Sequence, residues 1–241
     1  QDDSQGNAGV VDVGTDADFY GARVLTCDNS GRLSDAAEGV RWAAGDDSLT
    51  NPDTGDPIPQ IEKKADLINV SLGSEGTTCP GFMQDAIDFA ERQGAIVVVS
   101  AGNTGNDTEV APANCDGVIT VGATNQDGEG ASFSTRGDNL DYSAAGVSMR
   151  VFDEEGRKIV GGTSFSAPLV VGTMANLWKD ISGLSASEIK QFSFESLNTP
   201  PNFTTEFGAG ILDARKLQET AIAQVDAPDF EVAHPLGDNC A

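Results

Sequence analysis

Short apolar runs alternate with amphipathic stretches along most of the chain, a pattern that predicts βαβ units and a doubly wound, mostly parallel α/β sheet. Arg23-Val24-Leu25 reads as a strand. Past the turn at Asp28-Asn29-Ser30-Gly31, Ser34 is positioned to cap a helix through Ala44, with Ala36, Val40 and Ala43 as its apolar stripe and Gly45 as its terminator. Residues 45–64, rich in Pro and Asp, read as an exposed loop. Leu67-Ile68-Asn69-Val70 is a second strand, and Pro80 to Gln93 a helix with Phe82, Ala86, Ile87 and Ala90 on one face and Gly94 behind it. Ala95-Ile96-Val97-Val98-Val99 is continuously apolar, as befits a strand covered on both faces, and Val118-Ile119-Thr120-Val121 repeats the pattern. Ser164 through Lys179 carries Pro168, Val171, Met174, Ala175 and Trp178 at helical spacing, and Ser185-Ala186-Ser187-Glu188 is a capping box that opens another helix. Residues 1–223 form the expected main domain, and 224–241 read as an irregular C-terminal extension.

The length of 241 residues suits one large domain with a sizeable core. Against 14 Lys and Arg stand 38 Asp and Glu, a formal net charge of −24. Such a surplus repels phosphates and anionic lipid, so no nucleic-acid and no membrane-surface partner is expected, whereas cationic partners, divalent ions and salty surroundings fit. No apolar run reaches the roughly 18–20 residues that span a bilayer. Gln1-Asp2-Asp3-Ser4 has neither the basic start nor the apolar stretch of a secretory leader, so the leader of an exported protein is expected upstream of residue 1. Cys27, Cys79, Cys115 and Cys240 do not have the spacing of a zinc site. Their even number is compatible with one or two disulfides in a secreted, periplasmic or cell-surface protein, with buried free thiols as the other reading.

Candidate chemistry concentrates in Gly161-Gly162-Thr163-Ser164-Phe165-Ser166-Ala167-Pro168, which runs straight into the helix. A serine at a helix N-terminus lies beside unpaired backbone N–H groups and the positive end of the helix dipole, so an oxyanion forming next to its hydroxyl is stabilised there. Pro168 is expected in the first turn, where its missing N–H is harmless. By itself Ser164 is more simply an N-cap. Two more segments end predicted strands, where open parallel sheets build their sites. Val99-Ser100-Ala101-Gly102-Asn103 presents an amide that can donate to developing negative charge, and Ile68-Asn69-Val70-Ser71-Leu72-Gly73 presents backbone that can pair with an extended peptide.

Taken together and in this order, the segments resemble the subtilisin-like serine proteases, the subtilase family, from about Gly9 to about Leu217. Gly162 to Pro168 matches that family's nucleophile motif, Ser100 to Asn103 its oxyanion-hole segment and Ser71-Leu72-Gly73 one wall of its primary specificity pocket. Ser30-Gly31-Arg32-Leu33 sits where the family has the edge that pairs with substrate. Val118 to Ala123, Ala131 to Ser134 and Gly208 to Ala214 resemble further landmarks. The resemblance implies a three-layer subtilisin-like fold and a serine endopeptidase acting on peptide or protein substrates. Ser164 is then the nucleophile, and Asn103 and the Ser164 backbone N–H are the oxyanion donors. Ser71 to Gly73 and Ser100 to Gly102 would line the pocket, with Val110 near its floor favouring moderate apolar side chains. Cys79 and Cys115 resemble a disulfide of secreted Gram-negative members, leaving Cys27 to pair with Cys240 or stay free.

In this family a His held by an Asp activates the serine, and neither motif is in the sequence. Gly9-Val10-Val11-Asp12-Val13 resembles the segment that follows the His, with Asp12 where the family usually has Gly and so not read as catalytic. His234 lies in the tail and reads as a solvated residue. The first strand or strands of the family's sheet are therefore expected on an N-terminal fragment of the same precursor that carries Asp and His and stays associated after cleavage near Gln1. The alternative is a catalytically inactive pseudoprotease that binds peptides or a partner protein. No cofactor is assigned; calcium fits as a structural ion, without a ligand set.

Overall fold

The computed structural model describes residues 17–51, 54–153 and 156–225. Gly9 to Val13, His234, Cys240 and the extension beyond Val225 lie outside them. In chain order the structure runs α1 (Leu33–Ala43), β1 (Leu67–Val70), β2 (Ser74–Glu75), α2 (Gly81–Arg92), β3 (Ile96–Ser100), β4 (Val110–Ala111) and β5 (Ile119–Thr124). It continues with β6 (Tyr142–Ala145), β7 (Met149–Asp153), β8 (Gly156–Val160), α3 (Thr163–Asp180), α4 (Ala186–Glu195), β9 (Leu197–Asn198), β10 (Ile211–Leu212) and α5 (Ala214–Val225).

The apolar run at 95–99 shows why the chain stacks in three layers. Every residue of β3 is buried, and the two-residue alternation of a strand splits them between two cores. Val97 and Val99 pack with α1 and α2, whereas Ile96 and Val98 pack with α3, α4 and α5. The main sheet has the order β1-β3-β5-β6-β10-β9, parallel except for the antiparallel β9 at one edge. At the other edge β1 pairs with β3 alone among the described residues. This is the three-layer, mostly parallel α/β architecture expected from the sequence.

Several local expectations need correction. Arg23-Val24-Leu25 is not a strand: it joins no ladder among the described residues, and Val24 is used as a partly buried cover on the α1/α2 core. Ser34 does not cap α1. The helix starts two residues earlier, with Arg32 as N-cap, because the Arg32 carbonyl accepts from the Asp35 and Ala36 N–H groups and acidic Asp35 suits the first turn. Phe82 is exposed, and the buried face of α2 is Met83, Ala86, Ile87 and Ala90, spaced i, i+3, i+4, i+7. In α3 the fully buried stripe is Ala167, Val170, Met174 and Leu177, so Val171 and Trp178 lie on its flank. The capping box is present, Ser185 Oγ accepting from the Glu188 N–H at 3.3 Å.

Cys79 and Cys115 form a disulfide. Closing a loop of 36 residues in the unfolded chain stabilises the native state by about 4 kcal/mol in the chain-entropy picture. Cys27 is exposed and has no disulfide partner among the described residues; Cys240 lies outside them.

Asp141 links β5 and β6: its Oδ2 accepts the Thr120 N–H at 2.7 Å and its own N–H donates to the Thr120 carbonyl at 3.1 Å. Burial raises its carboxyl pKa above the ordinary value, against the opposing pull of that N–H and of Lys190. A carboxyl whose folded pKa lies above its unfolded one stabilises most when protonated, and its contribution falls as pH rises through the folded pKa. Asp141→Asn keeps the oxygen acceptor and removes the charge. Urea unfolding should therefore show the variant gaining on the wild type as the pH rises above the ordinary carboxylate range; a stability difference that does not change with pH would contradict this.

Candidate active site

The parallel register brings two strand ends together. Val70 lies opposite Val99 in the β1–β3 ladder, so Ser71-Leu72-Gly73 and Ser100-Ala101-Gly102 leave the sheet side by side at its carboxyl edge. The N-terminus of α3 meets them: Ser71 Oγ donates to the Ser164 carbonyl at 3.1 Å, and Ser164 Oγ donates to the Ser71 carbonyl at 3.4 Å. The first of these bonds has a cause in the sequence. Pro168 is inside α3, not in its first turn as expected, and it has no N–H for the carbonyl four residues earlier. That carbonyl belongs to Ser164, and the Ser71 hydroxyl takes the place of the missing donor.

Asn103 is held from the same helix. Its Oδ1 accepts from the Thr163 N–H at 3.0 Å and from Thr163 Oγ1 at 3.2 Å, while Thr163 Oγ1 accepts from the Gly102 N–H at 3.2 Å. A backbone N–H only donates, so the atom facing it is the amide oxygen and the Nδ2 donors are left outward. The chain around Asn103 turns through Gly102 at φ +98, where a Cβ would lie 2.9 Å from Thr135 Oγ1 and Val110 Cγ2. Likewise a Cβ on Gly73 would lie 2.8 Å from the Ala111 carbonyl oxygen.

Between these walls is a cavity of about 120 Å³. Ser71, Leu72 and Gly73 line one side, Ser100, Gly102 and Asn103 another, and Ser164, Val110 and Glu75 complete it. Ala101 is buried and does not line it. Ser30-Gly31-Arg32-Leu33 also lie apart from this lining: Thr26 and Asp28 tie Ser30 into a turn, and Leu33 begins α1. Sequence reasoning missed three contributors. Thr163 stood inside the nucleophile motif, Glu75 two residues beyond the first wall, and the Ser71–Pro168 relation was legible only once the helix register was known.

No His side chain is among the described residues, and Ser164 Oγ has the Ser71 carbonyl as its partner. No three His, Cys, Asp or Glu side chains of the described residues gather into a metal-holding group, so none is assigned to calcium.

Comparison with known proteins gives this arrangement its context. The model of the subtilase family matches residues 2–210. A thermostable alkaline protease of Halalkalibacterium halodurans is 33% identical over 184 residues, covering 76% of this chain and 46% of that protein. An extracellular protease of Xanthomonas campestris pv. campestris is 37% identical over 169 residues, 65% of this chain and 28% of that one. The chain thus spans about half or less of the length of these relatives. Among solved structures, a protease from Pseudoalteromonas arctica superposes with a TM-score of 0.70 at 30% identity, covering 79% of this chain and 59% of its own. Motif order, fold and family match agree: the chain belongs to the subtilase family.

Proposed function

We propose that this chain is the larger part of a secreted serine endopeptidase that cleaves peptide bonds in protein substrates. Ser164 attacks the scissile carbonyl, and the Asn103 Nδ2 and the Ser164 backbone N–H receive the oxyanion. Ser71 to Gly73, with Ser100 and Gly102, hold the residue before the scissile bond, and Ser30 to Leu33 supply an edge for the extended substrate. The observation that carries this reading is the orientation of Asn103: Thr163 occupies its oxygen, which leaves its donors unengaged in a residue that lines the same cavity as Ser164. Secretion is supported by the extracellular relative and by the disulfide.

A serine hydroxyl needs a base, and the sequence's one His, His234, lies outside the family match. On this reading the Asp and His are supplied by an N-terminal fragment of the same precursor, whose backbone would pair with the side of β1 that has no neighbour among the described residues. The competing reading, a peptide-binding pseudoprotease, is favoured by the Ser164 hydroxyl resting on a carbonyl oxygen.

Denaturing intact-mass analysis of the secreted material, combined with a fluorophosphonate probe, separates them. The expected result is a second polypeptide bearing Asp and His, with probe attached to Ser164 only while the two are together. A single species that stays unlabelled would overturn the two-piece enzyme and leave the pseudoprotease.

A further inference from the structure

The cavity beside Ser164 has one ionisable residue in its lining, Glu75. It ends β2, and the antiparallel β2–β4 pairing sets it opposite Val110, another lining residue. The Glu75 carboxylate has no hydrogen-bond or ion-pair partner among the described residues; only its carbonyl is engaged, by Thr77 Oγ1. Neighbouring Glu109 differs, because its Oε2 accepts from Thr78 Oγ1 at 2.9 Å. Glu75 is exposed and is the charged residue of an otherwise neutral lining, so among groups entering the cavity its carboxylate favours a positive one.

Resting on the peptidase reading above, we infer that Glu75 is a specificity residue that selects Lys or Arg as the substrate side chain entering this cavity. The apolar stem of such a side chain lies along Leu72 and Val110 while its charged head reaches Glu75, the division of labour that long cationic side chains make elsewhere. The expectation of an apolar preference from Val110 is thereby assigned to the stem. The net charge of −24 adds a long-range attraction for cationic peptides that salt weakens.

The test uses the assembled enzyme and two fluorogenic peptides identical except for Lys or Leu before the scissile bond. The wild type should favour Lys in kcat/KM by about tenfold, E75Q should lower the Lys/Leu ratio by about five- to tenfold, and E109Q should leave that ratio within about twofold. Binding of the product halves ending in Lys or Leu, followed by calorimetry, reads the cavity without turnover. Tighter binding of the Lys product that E75Q removes, in a preparation that hydrolyses neither peptide, would uphold the role of Glu75 and overturn the hydrolytic reading. Turnover with a Lys/Leu ratio that E75Q does not change would overturn the role of Glu75 and leave the hydrolytic reading standing.

Discussion

Replacing Ser164 by Ala is expected to lower kcat of the assembled enzyme on the order of a millionfold, the magnitude established for nucleophile removal in subtilisin, with the fold intact. The asymmetry between those two effects follows from the hydroxyl's surroundings. Ser164 is half-buried, and its Oγ makes one long bond, 3.4 Å to the Ser71 carbonyl. Losing a bond of that length changes stability by less than about 1 kcal/mol. The stronger tie between the same residues, Ser71 Oγ to the Ser164 carbonyl, uses backbone that the substitution leaves in place. Hydrolysis of a fluorogenic peptide and a thermal melt on the same preparation check the pair of expectations. Retention of activity within tenfold would remove Ser164 from the chemistry, and a collapse of the melt would make it a structural N-terminal residue instead.

The layers of the fold were legible because burial on both faces leaves a mark: the continuous apolar run Ala95 to Val99 is of the kind found in a strand covered on both faces, and the alternating helical patterns supply the cover. Short pairings left weaker marks. β2, β4, β9 and β10 are two residues each, too short for periodicity to declare itself, and they exist because loops already anchored elsewhere happen to run alongside. Arg23 to Leu25 failed for the converse reason. Its composition suits a strand, but a strand needs a neighbour, and the edge of β1 has no second ladder among the described residues.

At the site, the motifs located Ser164, Asn103 and the two walls, which then met in one cavity. Motifs did not show how these residues constrain one another. The substitution of the Ser71 hydroxyl for a helix donor depends on Pro168 standing four residues after Ser164 inside α3. Spacing identifies the Ser164 carbonyl as lacking a helix donor once the helix register is known, but the donor that replaces it comes from a strand end 93 positions away. The role of Glu75 depends on β2–β4 pairing, a contact between segments 35 positions apart (Val110 less Glu75) that local patterns do not encode.

Two substitutions at Asn103 separate its donor from its acceptor. Asn103→Ala is expected to lower kcat by about 10²- to 10³-fold, roughly 3–4 kcal/mol of transition-state stabilisation, as removal of an oxyanion donor does. KM should change little, because the donor acts on charge that develops after binding. Asn103→Asp keeps an oxygen for the Thr163 N–H and hydroxyl, now 3.0 and 3.2 Å from Oδ1, and so preserves the link between the β3 loop and α3. Its second oxygen, however, faces the developing oxyanion with negative charge in place of two N–H donors. The Asp variant should therefore melt close to the wild type yet hydrolyse peptide more slowly than the Ala variant, with its deficit relative to the Ala variant at the same pH shrinking as the pH is lowered and the carboxylate protonates. Steady-state kinetics of both variants against pH distinguish the roles: an Asp variant faster than the Ala variant at neutral pH would mean that Asn103 serves to anchor Thr163 and that the oxyanion is received elsewhere.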